Sequence, residues 1–158
     1  MRRVEREVNS KLEIKNIILK GSILNLGLNS SVFPYVVPLN YIFKEENDNW
    51  FIYFHSAKQG YKIDLINKDE RCGFTIYNDL GVKLKEKSNS GTNLYECIMG
   101  TGYICEVKEF QEKHEIAKKL LRKYGYVEDI QIENEVIEKT YIGKITIKEI
   151  SGKANREK

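Results

Sequence analysis

The side chains best suited to chemistry lie together in the stretch of residues 51–66. An apolar segment typical of a β-strand leads there into a short helical pattern. The junction carries His55, one of the chain's two histidines, together with Ser56, Lys58 and Lys62. An imidazole exchanges a proton near neutral pH, and helix N-termini bind phosphate. These residue types therefore point to an anion site beside a group that can transfer protons.

The helix of this stretch is predicted to begin at Ser56, because Ser56 and Gln59 have the spacing of a capping box. Lys58 and Lys62 would then share one face of its first two turns. Cations are disfavoured at the positive end of a helix dipole, and an anion shared with the free amides would reverse that effect. The alternative is that both lysines belong only to a solvated face, since lysine is abundant in this chain.

The composition is that of a globular protein, which we expect to form a single domain over residues 1–158. Hydrophobic residues make up 41% of the chain and charged residues 31%, and the formal net charge is +3. No basic run marks a nucleic-acid footprint, and no segment approaches the roughly 18 unbroken apolar residues of a membrane span. The charged start lacks the apolar core of a signal peptide. We therefore expect a soluble, cytoplasmic protein that binds neither nucleic acid nor membrane.

The chain has three cysteines and no CxxC pair. This usage argues against a disulfide framework and against a structural zinc site, and it fits a reducing compartment. Cys97 and Cys105 have no base nearby in the sequence, so both are expected to be inert core thiols. We predict no metal site.

The first half of the chain predicts a helix and two paired strands. Ser10 and Glu13 form a capping box for a helix that Gly21 ends. A strand over residues 23–28 turns at residues 29–31 into a strand with regular alternation. One face of this second strand is formed by Phe33, Tyr35, Val37, Leu39, Tyr41 and Phe43.

The opposite face of that strand contains Pro38 and Asn40. Proline cannot donate to a ladder, so Pro38 marks an edge, a bulge or a break in the pairing. Such a break would open the sheet edge and let backbone groups and the Asn40 amide meet a flat polar ligand. Alternatively, Asn40 is a strand residue that bonds to solvent or to a neighbouring loop.

The second half of the chain predicts further strands around one long helix. The pattern indicates a polar turn at residues 45–49 and strands over residues 50–55, 71–77, 82–87, 94–107 and 140–150. A turn is expected at residues 79–81 and a loop at residues 88–93, and Gly100 and Gly102 are expected to bend their strand. The tail from residue 151 is expected to fray.

The clearest helix covers residues 109–124. Its apolar stripe is predicted to contain Phe110, His114, Ala117, Leu121 and Tyr124. The order of all these elements predicts a mainly β (α+β) fold, a small closed or partly closed antiparallel barrel with helices at its openings.

Four segments in order strengthen this prediction, namely VVPLNY, FHSAKQGYKIDLI, YECIMGTGYI and the closing KITIKEISGK. With the opening MRRVEREV they resemble the pyridoxamine 5′-phosphate oxidase-like flavoproteins over nearly the whole chain, and most of all their nitroimidazole-resistance (Nim) branch. The resemblance implies a six-stranded antiparallel split β-barrel with flanking helices. It also implies a homodimer that binds FMN in two grooves at the subunit interface.

The resemblance also implies which residues contact FMN. Beside the isoalloxazine, partly through backbone groups, it places Val37, Pro38, Leu39 and Asn40. At the ribityl phosphate it places His55, Ser56, Tyr61 and Lys62, with Lys62 as the first anchor. Many relatives have arginine where Tyr61 stands, and tyrosine cannot supply that charge, so we expect either a weaker phosphate affinity or compensation by Lys58 from one turn earlier.

The activity implied is FMN-dependent reduction of small electron-poor compounds, nitroaromatic or quinone-like. The electrons would come from a reduced nicotinamide or from another donor. Because the chain has no GxGxxG fingerprint, a nicotinamide would bind transiently over the flavin. His55 is the candidate proton donor or substrate contact, or else it makes a structural hydrogen bond at the strand end. Vitamin B6 oxidation is not expected, because the C-terminal tryptophan and arginine of the true oxidases are missing and Cys97 stands where relatives commonly have serine.

A different class of function stays open. Related split barrels bind haem, and His55 or His114 could be an axial ligand. The chain would then be a flavin- or haem-binding module without efficient turnover, serving storage, sensing or partner control. A third possibility is a barrel that has lost its ligand and remains a dimeric interaction protein.

Overall fold

The structure is a computed structural model that describes residues 3–85 and 90–157. A short 3-10 turn at Val4–Arg6 precedes the regular elements. The helices are α1 (Lys11–Lys20), α2 (Tyr61–Lys68), α3 (Phe110–Lys123) and α4 (Asn134–Lys139). The strands are β1 (Glu7–Val8), β2 (Ile23–Leu28), β3 (Tyr35–Glu46), β4 (Asn49–Ala57), β5 (Arg71–Lys85), β6 (Ser90–Glu106) and β7 (Thr140–Asn155). Within the described residues, no helix is long and apolar enough to cross a membrane.

Six of the strands form a closed antiparallel barrel. The sheet order is β1-β7-β4-β3-β2-β5-β6, and an additional β6–β7 pairing joins the ends of the six longer strands. The short strand β1 pairs with the end of β7 and lies outside this ring. The predicted mainly β fold, a six-stranded antiparallel barrel with flanking helices, is therefore confirmed.

Helix α1 packs against the barrel as predicted. Its cap is Ser10, whose hydroxyl accepts a hydrogen bond from the Glu13 amide at 3.4 Å. The amide of Gly21 donates to the Ile17 carbonyl at 3.2 Å and ends the helix. Buried isoleucines of α1 join leucines of β2 and aromatic residues of β3 and β4 in the main core.

Helix α3 has the predicted extent, but the predicted apolar face is wrong. Its buried residues are Lys113, Ile116 and Leu120, whereas Leu121 and Tyr124 are exposed. The helix lies on the outward side chains of β3, β4 and β7, so a second core cluster sets its orientation. The long apolar stem of Lys113 can occupy this buried face, which a simple count of apolar residues overlooks.

Strands β5 and β6 are longer than predicted. The expected turn at residues 79–81 is wrong, because Asp79 pairs with Tyr95 and Val82 with Asn93 across a bulge in one continuous strand. Part of the expected loop at residues 88–93 is strand from Ser90 onward, and residues 86–89 lie outside the described residues.

At the glycines of β6 the register against β7 shifts between Thr101 and Gly102, and the extra residue, Lys148, lies on β7, so the bend expected in β6 stays a prediction. A Cβ on Gly102 would lie 2.4 Å from the Thr146 carbonyl oxygen. Real side chains essentially never approach backbone so closely, so the pairing of β6 with β7 requires glycine at this position.

The expected fraying of the tail is wrong as far as residue 156. Strand β7 pairs with β6 through Asn155. Arg156 then holds the buried carboxylate of Glu96, with its Nε 2.8 Å from Glu96 Oε1, and it also pairs with Glu13. This ion pair joins the end of β7 to both β6 and α1.

The cysteines only partly fit the expectation of inert core thiols. Cys97 is half-buried and Cys105 is exposed, whereas Cys72 is buried. Burial raises the pKa of Cys97 and raises that of Cys72 to about 12, which keeps both thiols protonated at neutral pH. The expectation is therefore wrong for the location of Cys105.

Candidate functional site

The central feature of the site is a change of partner along β3. Residues 35–40 of β3 pair with β2, and residues 41–46 pair with β4. The first β3–β4 pair is Tyr41 with Phe54, and beyond it Asn40 and His55 diverge. Within the described chain, the ladders leave this side of residues 35–40 unpaired. We call the opening between residues 35–40 of β3 and residues 55–57 of β4 the split.

Backbone groups point into the split from both strands. The amide and the carbonyl of Tyr41 both face Tyr124 on the other side, at 2.9 and 3.2 Å from its hydroxyl. Successive residues of an antiparallel strand direct these groups to alternate sides. The peptide groups of Asn40 and the carbonyl of Pro38 therefore face the split, as do the peptide groups of His55. Pro38 lies with its missing N–H toward an open edge, as its position in the sequence predicted.

The side chains of the predicted ring-binding segment divide between two faces. Val37 and Leu39 are half-buried and pack against the main core. Pro38 and Asn40 point outward, as does His55 of β4, which follows in the alternation from the buried Phe54. By the same alternation the amides and carbonyls of Val37 and Leu39 face β2, so neither their side chains nor their polar backbone groups point into the split.

The start of α2 differs from its prediction. Ser56 is a strand residue that pairs with Tyr141, and its hydroxyl donates to the Ala57 carbonyl at 2.8 Å. The predicted capping box of Ser56 and Gln59 is therefore wrong, because pairing with β7 continues past the proposed cap. The helix begins at Tyr61, so Lys58 precedes it and does not share a helical face with Lys62.

Gly60 is the residue that allows this late helix start. Its φ of 112° lies in a region that L side chains rarely adopt. Its carbonyl accepts hydrogen bonds from the amides of Ile63 and Asp64 at 2.8 and 3.2 Å. The amides of Tyr61 and Lys62 precede these, and such first amides of a helix have no partner inside it. They are available to an anion at the end of the split.

Tyr61 connects the helix start to the β2–β3 hairpin. Its hydroxyl lies 2.7 Å from the Ser30 hydroxyl. Its ring meets the Tyr35 ring edge-on, with centroids 5.4 Å apart. The side chain remains 54% exposed, so it borders the split rather than filling it.

His55 and Lys62 form the electrostatic core of the site. The His55 pKa is lowered first by desolvation and second by the positive charge of Lys62. Desolvation by burial also lowers the pKa of Lys62. Both effects favour loss of a proton, and a nearby anion would oppose the charge effect at His55 and stabilise the charged form of Lys62. An anion bound here would therefore interact favourably with both side chains.

The structure brings together most of the predicted residues. Asn40, His55 and Lys62 border the split with Pro38 and Tyr61, whereas Lys58 lies on the exposed connection before α2. His114 lies on α3, where its ring stacks on the Phe110 ring with centroids 6.2 Å apart. Among the described residues, no group of three or more His, Cys, Asp or Glu side chains could hold a metal ion.

The outer sheet face next to the split was not predicted from the sequence. A cavity of about 580 Å³ lies there, lined by residues of five strands, among them Val36, Asn25, Thr75, Met99 and Ser151. Strand alternation could have placed these side chains on one face, but only the pairing of five strands brings them together. The sequence also missed the contact of Tyr124 with β3, because Tyr124 fitted the apolar pattern of α3.

The barrel and its split define the class of the molecule, a split β-barrel. The family model described as pyridoxamine 5′-phosphate oxidase matches residues 10–154. The chain therefore belongs to the pyridoxamine 5′-phosphate oxidase family, which confirms the resemblance found in the sequence.

Solved structures of related shape agree with this assignment. A proposed 5-nitroimidazole antibiotic resistance protein from Bacteroides thetaiotaomicron has 26% identity and a TM-score of 0.77, covering 94% of this chain and 86% of that one. This similarity fits the Nim branch of the resemblance.

Two further structures share the fold. A flavocytochrome from Azotobacter vinelandii has 16% identity and a TM-score of 0.78, covering 99% of this chain and 72% of its own. A FAD and heme binding protein from Mycobacterium smegmatis has 12% identity and a TM-score of 0.79, covering 96% and 74%. No curated protein matches this chain significantly.

Proposed function

We propose that this chain is a flavoprotein that binds FMN in the split and reduces small electron-poor compounds, nitroaromatic or quinone-like. The observation that carries this proposal is the split itself. At one end it presents the unpaired peptide groups of Asn40 and His55. At the other end it presents the Lys62 ammonium and the first amides of α2. A flat ring with polar edges and an attached phosphate has the matching distribution of groups.

The residues of the split fit the parts of FMN. The peptide groups of Asn40 and the Pro38 carbonyl can bond the edge of the ring, and the Tyr61 and Lys62 amides can bond the phosphate together with the Lys62 ammonium. Bound FMN would supply the hydride and electron chemistry, which protein side chains cannot perform. A reduced nicotinamide is the electron donor that we propose.

His55 is the proposed proton-handling group. Its lowered pKa leaves the imidazole mostly neutral at pH 7, able to donate one hydrogen bond and accept another. Phosphate bound at Lys62 would offset the lysine charge and raise the His55 pKa again. Because the imidazole points outward at the split, it can hold a proton beside a bound substrate.

Tyr61 gives the site less positive charge than an arginine would. Lys58 lies on the same connection and can approach a phosphate, although it is outside the helix. We propose that Lys62 and the two amides carry most of the phosphate binding, with Lys58 adding a weaker and more salt-sensitive attraction.

We also propose a homodimer that covers the outer sheet face. One row across this face is Pro38, Asn25, Thr75, Met99 and Ser151, and the next is Val36, Gly27, Gly73, Thr101 and Glu149. Glu149 is the one charged residue of these ten, whereas 31% of the whole chain is charged. Core regions of interfaces are depleted in charge in the same way, and this face continues into the split. Sedimentation of the flavin-loaded protein is expected to give a dimer, and a loaded monomer would contradict the interface groove.

The visible spectrum of the purified protein tests the proposed function. We expect flavin absorption, and chromatography of the released cofactor should identify FMN rather than FAD. Anaerobic addition of NADH or NADPH should bleach the flavin, and a nitroimidazole should then restore the colour. Colourless protein that takes up no added FMN would contradict flavin binding.

The same measurements separate the alternative functions. Flavin that neither nicotinamide bleaches would favour a binding module for storage, sensing or partner control. A strong Soret band would indicate haem, for which the exposed His55 is one available ligand. Colourless dimer would favour a barrel that has lost its ligand.

A further inference from the structure

The hydroxyl of Tyr124 occupies the place of a missing rung between β2 and β3. The last pair of that ladder is Ile23 with Asn40, so the next would join Ser22 and Tyr41. Instead, the Tyr124 hydroxyl accepts a hydrogen bond from the Tyr41 amide at 2.9 Å. The same hydroxyl donates to the Ser22 carbonyl oxygen at 2.5 Å, and the Tyr41 carbonyl oxygen, at 3.2 Å, is a second acceptor. One phenol therefore bridges two strands at the point where their ladder ends.

The other contacts of Tyr41 reinforce this bridge. Its own hydroxyl donates to the Ile18 carbonyl of α1 at 2.5 Å. The Nζ atom of Lys123 lies 3.7 Å from the centre of its ring. Tyr41 is fully buried, and it is the first residue of β3 to pair with β4. Lys123 and Tyr124, at the end of α3, thus contact Tyr41, the residue at which β3 changes its pairing partner.

The position of the bridge relates it directly to the split. Tyr41 directs its peptide groups toward Tyr124, and the neighbouring Asn40 consequently directs its own peptide groups into the split. If the bridge were lost, Ser22 and Tyr41 could approach and extend the β2–β3 ladder by one rung. The Asn40 peptide would move with them, at the end of the split where the ring of a ligand is expected.

We propose that Tyr124 is a positioning residue, which acts through Tyr41 to hold the Asn40 peptide in the orientation that binds the flavin ring. This inference rests on the flavin site proposed above. It assigns a role in the cofactor groove to the end of α3, an element outside the segments that suggested the site.

The effect of Tyr124→Phe on two flavins tests the proposal. Loss of the bridge should weaken FMN and riboflavin equally, by roughly tenfold, because the hydrogen bonds that hold the Asn40 peptide at the ring end are disturbed. Lys62→Ala, in contrast, should weaken FMN alone. In the flavin-free protein, the Tyr41 amide of Tyr124→Phe should exchange with solvent roughly tenfold faster than in the wild type.

Two variants control for general effects of mutating this region. Tyr126→Phe removes the hydroxyl of a nearby exposed tyrosine and should leave both dissociation constants and the Tyr41 exchange unchanged. Ile116→Val trims the buried face of the same helix and lowers stability without touching the bridge. If Ile116→Val weakened both flavins as much as Tyr124→Phe, the effect would be one of stability, and the positioning role would be overturned.

The remaining outcomes also bear on the positioning role of Tyr124. Faster Tyr41 exchange with unchanged flavin binding in Tyr124→Phe would overturn the positioning role. Tyr124→Trp is a second variant, whose indole can donate a hydrogen bond but cannot accept one from Tyr41, and it should also weaken both flavins. Wild-type protein that bound neither flavin would refute the proposed function and, with it, the role in flavin binding. Exchange of the Tyr41 amide would then still test the bridge, because an unchanged exchange rate in Tyr124→Phe would show that the hydroxyl does not hold Tyr41.

Discussion

The two sides of this barrel differ in how completely their neighbouring strands are paired. On one side β6 pairs with β5 as far as Lys85 and Ser90, and with β7 as far as Tyr95 and Asn155, so the wall is continuous apart from two bulges. On the other side β3 and β4 pair only between the turn that joins them and the Tyr41–Phe54 pair, and beyond that pair they separate. We call these two regions the continuous wall and the split.

The difference shows which constraints act on each region. In the continuous wall, neighbouring backbone fixes the residue, as at Gly102, where no side chain fits. Around the split, Pro38 and His55 are exposed and Asn40 and Lys62 are half-buried, and under the proposed function a ligand would satisfy the polar groups there. Variants in the wall should therefore change stability, and variants at the split should change binding.

The largest effect is expected from Gly102→Ala in the continuous wall. The new Cβ would lie 2.4 Å from the Thr146 carbonyl oxygen, which belongs to backbone and cannot move cheaply. We expect a loss of about 3 kcal/mol in the free energy of unfolding, measured by urea denaturation. Gly73→Ala is the matched control, because the nearest atom to its Cβ would lie 3.9 Å away. Similar losses in both variants would contradict the role given to close backbone approach.

At the split, Lys62→Ala should weaken FMN by roughly thirtyfold, because a charged hydrogen bond to the phosphate is lost. Riboflavin, which has no phosphate, should bind as before, and the free energy of unfolding should change little. Fluorescence titration of both flavins gives the comparison. Lys68→Ala, in the last turn of the same helix, is the control. Equal losses for FMN and riboflavin would remove Lys62 from the phosphate.

A gain of affinity is expected from Tyr61→Arg. A guanidinium at the start of α2 adds a positive charge and a forked donor for phosphate, so FMN should bind roughly tenfold more tightly. Tyr61→Phe keeps the ring near Tyr35 and loses the contact with Ser30, and it should bind FMN like the wild type. An arginine that left FMN affinity unchanged would place the phosphate away from residue 61.

The smallest effect is a pH dependence of stability due to His55. The His55 pKa in the folded chain lies below the usual 6.5. At pH values between the folded and the unfolded pKa, the unfolded chain therefore binds more protons than the folded chain. Stability should fall as the pH drops from about 7 to about 5, until His55 is protonated in both states. His55→Gln should show a shallower fall in urea midpoint over this range. An unchanged slope would show that His55 is not desolvated in the fold.

Much of the fold could be predicted because local patterns specified it. The helix cap at Ser10, the alternation along β3 and the meaning of Pro38 all depend on neighbouring residues, and the structure agrees with each. Of the predicted capping box it shows the Ser10 half, since the Glu13 carboxylate pairs with Arg156. The errors arose where distant pairing decided the outcome. Ser56 looks like a helix cap until β7 extends β4 through it, and residues 79–81 look like a turn until β6 pairs across them.

The candidate site followed the same division. His55, Lys62 and Asn40 were found from residue type and family resemblance, and the structure places them around one opening. The inward direction of Val37 and Leu39 could have been taken from strand alternation. The bridge formed by Tyr124 could not, since it joins residues 83 positions apart through a hydroxyl on a residue that fitted an apolar stripe.

The position of β7 in the barrel has a consequence for how the chain folds. This strand pairs with β4 and with β6, so the ring can close only after most of the chain has left the ribosome. Until then β4 and β6 both expose unpaired edges, which can pair with other chains. Barrel closure therefore depends on contacts between residues far apart in sequence, and such contacts form slowly. During its synthesis the protein should be most prone to aggregate just before residues 140–155 emerge.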